Sequence, residues 1–129
     1  PDHFVQEIQR LLKPGGYAPI STENLSSWHN IFATILGWQA FSQHISRRYF
    51  LGNPLALHYQ KHHATGMVHC QIFTPRGLKD LLEKYDLKVE QWAGAGYYPF
   101  FGWSARAMAK IDPRHSPFIT FKARKSKVP

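Results

Sequence analysis

The sequence is short of acid: eight Asp and Glu stand against sixteen Lys and Arg, for a net charge of +8 over 129 residues. That balance excludes the acidic, solvating kind of disordered chain and makes anionic partners a class to weigh. It has a single cysteine, Cys70, which excludes an internal disulfide and fits a reducing, cytoplasmic setting. Cys70 stands in an apolar stretch, where a lone thiol is expected to be buried rather than nucleophilic. No apolar run approaches the roughly 20 residues that a membrane span needs. The first residues also lack the apolar core of a secretory signal. No membrane partner is therefore expected. Internal repeats are absent too, and a hydrophobic fraction of 43% argues against general disorder. The expectation is one domain, 1–129, with a modest core.

The missing carboxylates are unevenly missing. None occurs between Glu23 and Asp80, where Arg47, Arg48, Lys61, Arg76 and most of the histidines lie. The tail adds Lys122, Arg124, Lys125 and Lys127. Such stripes attract phosphates. No recognised nucleic-acid motif accompanies them, so a nucleic-acid partner is the disfavoured alternative.

Hydrophobic spacing gives the elements. Phe4, Val5, Ile8, Leu11 and Leu12 repeat at helical spacing, with Asp2 at the N-cap and Lys13 in the last turn. Pro14-Gly15-Gly16 stops that helix, and Tyr17 to Ser21 begins a strand. Ser26-Ser27 is expected to cap a second helix, with Trp28, Ile31, Phe32, Ile35 and Leu36 on one face. From 38 to 65 the pattern breaks down, which reads as an insertion, partly helical and mobile. Thr74 as N-cap and Pro75 at the first helical position start a third helix, with Leu78, Leu81, Leu82 and Tyr85 on its core face. Leu87 to Trp92 reads as a strand, Trp103 to Ile111 as a short helix stopped by Asp112-Pro113, and Phe118 to Ala123 as a closing strand. The fold class is therefore α/β.

The segment Leu12-Lys13-Pro14-Gly15-Gly16, running into Tyr17 to Thr22, resembles the class I S-adenosylmethionine-dependent methyltransferases. There a helix ending in this motif leads into the fifth strand of a Rossmann-like sheet. His69 to Thr74, followed by Pro75 to Glu83, is similar to the family's later strand-end, helix and strand element. Ile111 to Lys125 is similar to its closing strand. The resemblance covers nearly the whole chain, but only the C-terminal half of the family's fold. It implies about three strands, mixed in direction, with the last one antiparallel between the other two and helices flanking them.

The glycine-rich turn and acidic residue that hold the family's cofactor are not found. Gly94-Ala95-Gly96 with Gly102 is wrongly spaced for such a turn and reads as a flexible strand-to-helix connection. No cofactor-binding residue is therefore assigned, and the chain alone is not expected to bind S-adenosylmethionine. What the resemblance implies is the substrate-side portion of a methyltransferase acting on an unidentified acceptor, inactive in isolation. The alternative is a non-catalytic protein- or nucleic-acid-binding module derived from that fold. Pro19 cannot donate to a ladder, so the first strand is expected to be irregular or an edge. An open edge recruits partners: a missing N-terminal half, or a second copy in an oligomer.

Ligands of open α/β sheets bind beyond the carboxyl ends of the strands. Glu23 and Asn24 close the first strand, so they are candidate substrate-lining residues with Trp28 and His29. The competing reading has Glu23 and Asn24 shape the turn and cap the next helix. His69 is a candidate base, against a structural hydrogen-bonding role. Tyr97 joins the candidates from the aromatic run Tyr97, Tyr98, Phe100, Phe101 and Trp103. That run suits a lid or a stacking surface, but helix-to-sheet packing is the favoured reading. His58 and His62 have the spacing of zinc ligands, with His63 adjacent. Tyr59 stands where a zinc-protease glutamate belongs, so no metal site is assigned.

Overall fold

A computed structural model describes residues 1–56 and 69–127. Helix α1 (Asp2–Leu11) leads through the Pro14-Gly15-Gly16 turn into strand β1 (Tyr17–Glu23), followed by α2 (Trp28–Ile35). Then come α3 (Pro75–Lys84), β2 (Leu87–Ala95), α4 (Gly102–Ile111), a 3-10 turn at Pro113–His115, and β3 (Phe118–Lys125). The sheet order is β1-β3-β2, and both pairings are antiparallel. The parallel relation resides in β1 and β2, which run the same way on either side of β3. Their carboxyl ends consequently meet at one end of the sheet, where Glu23 and Ala95 both sit opposite Phe118.

The main core lies under one sheet face. Val5 of α1 and Leu78 and Leu82 of α3 pack with Leu87, Ile119, Phe121 and Ala123 of the strands. Each interior side chain of this size contributes roughly 1.5–3 kcal/mol by leaving water. Thr74 caps α3 as expected, its hydroxyl accepting from the Gly77 N–H at 3.0 Å. Two expectations for α1 fail. Asp2 lies inside the first turn and accepts from the Tyr85 hydroxyl at 2.8 Å, so a tertiary contact has claimed the carboxylate. Arg10, not Lys13, occupies the last turn.

The β1–β3 ladder explains Pro19. Asn24 N–H donates to the Pro117 carbonyl at 2.8 Å, and Lys125 N–H donates to Gly16 at 2.9 Å. Alternation between these two pairs turns even-numbered β1 residues toward β3 and odd-numbered ones away. The nitrogen of Pro19 thus faces the outer edge, which has no strand partner among the described residues, and no ladder bond is lost. Beside that edge, between α1, β1 and α3, lies an apolar cleft of about 270 Å³ lined by Phe4, Ile20, Phe73 and Leu81.

Three further expectations change. Cys70 is exposed and lies outside any strand. The strand of Leu87 runs on to Ala95, so Gly94 belongs to the sheet rather than to a flexible connection. A Cβ at Gly94 would stand 2.2 Å from Ser116 Oγ and 2.8 Å from the Pro113 carbonyl, so the position must be glycine for β2 to meet the 3-10 turn. Three of the four tail cations are also engaged. Glu90 binds Lys122 at 3.2 Å and pairs with Arg124, while Lys125 Nζ donates to the Gln9 carbonyl at 2.7 Å. These bonds hold Lys122, Arg124 and Lys125 of the basic tail against the fold.

Candidate functional site at the carboxyl ends of the strands

The end of β1 turns into α2 through a buried polar junction. Asn24 is fully buried; its side-chain amide donates to the carbonyls of Arg114 at 2.7 Å and Ser116 at 2.8 Å. Its Oδ1 accepts from the Ser26 N–H at 2.9 Å, and its carbonyl accepts from the Asn30 amide at 3.0 Å. Asn30 Oδ1 in turn accepts from the Ser42 N–H. Asn24 is therefore a strut that ties β1, α2 and the approach to β3 together. It does not line a pocket, because every polar group of its side chain is consumed inside.

This junction sets the face that α2 buries. Asn30 and Ala33 point inward, while Phe32 is 60% exposed and Ile35 71%. Ser27 occupies the N-cap position, yet its hydroxyl makes no cap bond and stays buried without a partner among the described residues. The apolar stripe that marks α2 as a helix is thus turned outward.

Two of the predicted residues meet directly. Trp28 Nε1 donates to the Tyr97 hydroxyl at 2.9 Å, and that hydroxyl donates to Asp112 Oδ2 at 2.5 Å. His115 Nδ1 binds the same carboxylate at 2.8 Å, and its ring stacks on Trp28 with centroids 4.3 Å apart. Burial pushes the Asp112 carboxyl up, but the hydrogen bonds from Tyr97 and His115 together outweigh it and hold the group below its usual range. Burial, then the neighbouring Asp112, raise the Tyr97 phenol. Tyr97 therefore stays a neutral donor, and the network fixes Trp28 across the common end of β1 and β2. Asp112 and His115 were not predicted as site residues. Their one signal was a carboxylate three residues before a histidine at a helix stop, which is weak without a known partner.

Glu23 and His69 form a second pair. His69 Nδ1 stands 3.8 Å from Glu23 Oε2, beyond hydrogen-bond reach, and that buried oxygen has no hydrogen-bond partner among the described residues. His44, from the insertion, joins them. Its N–H donates to the His69 carbonyl at 2.8 Å, and its Nδ1 accepts from the His69 N–H at 3.3 Å. Its proton when neutral therefore resides on Nε2. Burial, then the nearby His69, push the His44 imidazole down. His29 stands apart, beside Phe41 and Tyr98, with Nε2 3.5 Å from Ser42 Oγ; burial pushes its imidazole down as well. Of the predicted residues, the structure thus joins Trp28 to Tyr97 and Glu23 to His69.

The expected packing role for the aromatic run holds for Tyr97 alone. Tyr97 packs with Ala105 and Ala109, whereas Tyr98, Phe100, Phe101 and Trp103 are exposed. The insertion is described only over 38–56, which is irregular apart from one helical turn at 54–56. Asn53 braces it by donating to the Gln39 carbonyl at 2.8 Å. His58, His62 and His63 lie outside the described residues. Among those described, no group of three His, Cys, Asp or Glu side chains is placed to hold a metal. No helix among them is long and apolar enough to cross a membrane.

A search of curated proteins gave no match. A family profile described as a methyltransferase domain matches residues 1–92. That match, which spans α1, β1, α2, α3 and the start of β2, places the chain in the class I S-adenosylmethionine-dependent methyltransferase family.

Proposed function

We propose that this chain forms the substrate-side portion of an S-adenosylmethionine-dependent methyltransferase, holding the methyl acceptor at the common carboxyl end of β1 and β2. The observation that supports this reading is the junction there. Asn24 anchors the strand end, and Trp28, Tyr97, Glu23 and His69 gather around it. That is where open α/β sheets take their ligands. Trp28 offers a flat apolar surface held in place by a hydrogen bond at its edge, and Glu23 and His69 offer groups able to accept or share a proton.

S-adenosylmethionine is the cofactor that the family implies. The described residues do not fit it: the one strand-end glycine run is filled by Ser116 and Pro113 from this chain, leaving no cradle for a ligand. The reading therefore assigns cofactor binding to a further, glycine-rich half, which pairs with the outer edge of β1 and covers the cleft beside it. Isothermal titration of S-adenosylmethionine into the chain tests this assignment. No saturable heat is expected, and micromolar affinity would contradict the need for a further half.

A further inference from the structure

The segment from Tyr98 through α4 presents large apolar side chains that the described residues leave exposed to solvent. Phe101 is 80% exposed and Trp103 82%, with Tyr98 at 64%. Helix α4 buries Ala105 and Ala109, so Trp103, Arg106 and Lys110 share its outer face. No carboxylate occurs from Gln91 to Ile111. Asp112, the first acid after Glu90, is engaged by Tyr97 and His115. The result is a protruding aromatic ridge with two cations along one flank and no negative charge. Patches of this kind on a soluble fold mark interaction sites.

We propose that this ridge, Tyr98 to Lys110, docks the protein on an anionic lipid bilayer surface. Aromatic side chains beside Arg and Lys suit the interface, where rings enter the headgroup boundary and cations meet lipid phosphates. The expectation of no membrane partner rested on spanning segments and does not bear on a surface contact. Charge argues against a second copy, since each chain carries +8. The cofactor-binding half assigned above would belong at the edge of β1, whereas α4 packs on β2 at the opposite side of the sheet. A nucleic acid would need a row of free cations to follow its backbone. On β3, Lys122 and Arg124 share the single carboxylate of Glu90 and are held on the sheet by it, and the ridge itself supplies Arg106 and Lys110. The inference does not depend on the methyltransferase reading.

Vesicle co-sedimentation of the full chain tests it. Vesicles mixing phosphatidylglycerol with phosphatidylcholine should carry the chain down at low salt, and pure phosphatidylcholine vesicles much less. Phe101→Ser with Trp103→Ser should weaken partitioning by about tenfold or more. Circular dichroism should show unchanged folding, because both side chains are exposed. Brominated lipid should quench tryptophan emission, and Trp103→Phe should remove most of that quenching. Absence of binding to the anionic vesicles would overturn the proposal, as would a double variant that binds like the parent. Release of the chain from vesicles by single-stranded RNA at equal phosphate concentration would overturn it in favour of a nucleic-acid surface.

Discussion

Helices α2 and α3 carry the same kind of apolar spacing and meet opposite fates. In α3, Leu78 and Leu82 sit in the core and the charges Arg76, Asp80, Lys79 and Glu83 pair off in solvent. In α2 the buried positions are Asn30 and Ala33, and Phe32, Ile35 and Leu36 face outward. The difference is the neighbour. Helix α3 lies on a sheet face with only apolar side chains to satisfy. Helix α2 starts at a strand end where buried carbonyls need donors, and Asn24 and Asn30 supply them. An unsatisfied buried polar group costs about 1–3 kcal/mol, comparable to the gain from burying one large side chain. Polar satisfaction can therefore choose a helix face against its hydrophobic stripe, and here it places Trp28 at the candidate site.

Substitutions on the two helices should separate these causes. Leu82→Ala in α3 should cost the most, about 2–5 kcal/mol in denaturant unfolding, since a fully buried leucine leaves a cavity. Asn24→Ala should cost about 2–3 kcal/mol, because it strands the carbonyls of Arg114 and Ser116 without donors. Acid should then distinguish the two sides. The folded state holds the His29 and His44 imidazoles below their ordinary range, so the unfolded chain binds more protons as pH falls. Their contribution is full above about pH 6.5 and is lost as pH drops through the lowered folded values. Protection factors around α2, corrected for the slower intrinsic exchange at lower pH, should fall over that window while those of α3 hold, and His29→Gln should reduce the effect. Smallest of all, Phe32→Ser or Ile35→Ser on the outer face of α2 should move stability by no more than about 0.5 kcal/mol. A loss near that of Leu82→Ala would mean that α2 buries its stripe after all.

Much of the fold was legible because it is local. The stop at Pro14-Gly15-Gly16, the Thr74 cap, the core face of α3 and the central place of β3 need only spacing, capping chemistry and a resemblance. What escaped was set by distant partners. Nothing around Asn24 announces that carbonyls at 114 and 116 will need its amide. Likewise, Asp2 looks like an N-cap until Tyr85 arrives. Gly94 looks like loop until Ser116 packs on it. The candidate site shares this pattern. Position at a strand end pointed to Glu23 and Trp28, and the aromatic run to Tyr97, while Asp112 and His115, which fix the Trp28–Tyr97 pair, are brought in from beyond α4.

The most direct test of the account is hydrogen–deuterium exchange on Asn24→Ala beside the parent chain. If the buried amide seats α2 across the strand ends, the α2 amides should lose protection strongly while those of α3 keep theirs. Unchanged protection in α2 would contradict the claim that this polar junction, rather than the apolar stripe, builds the site.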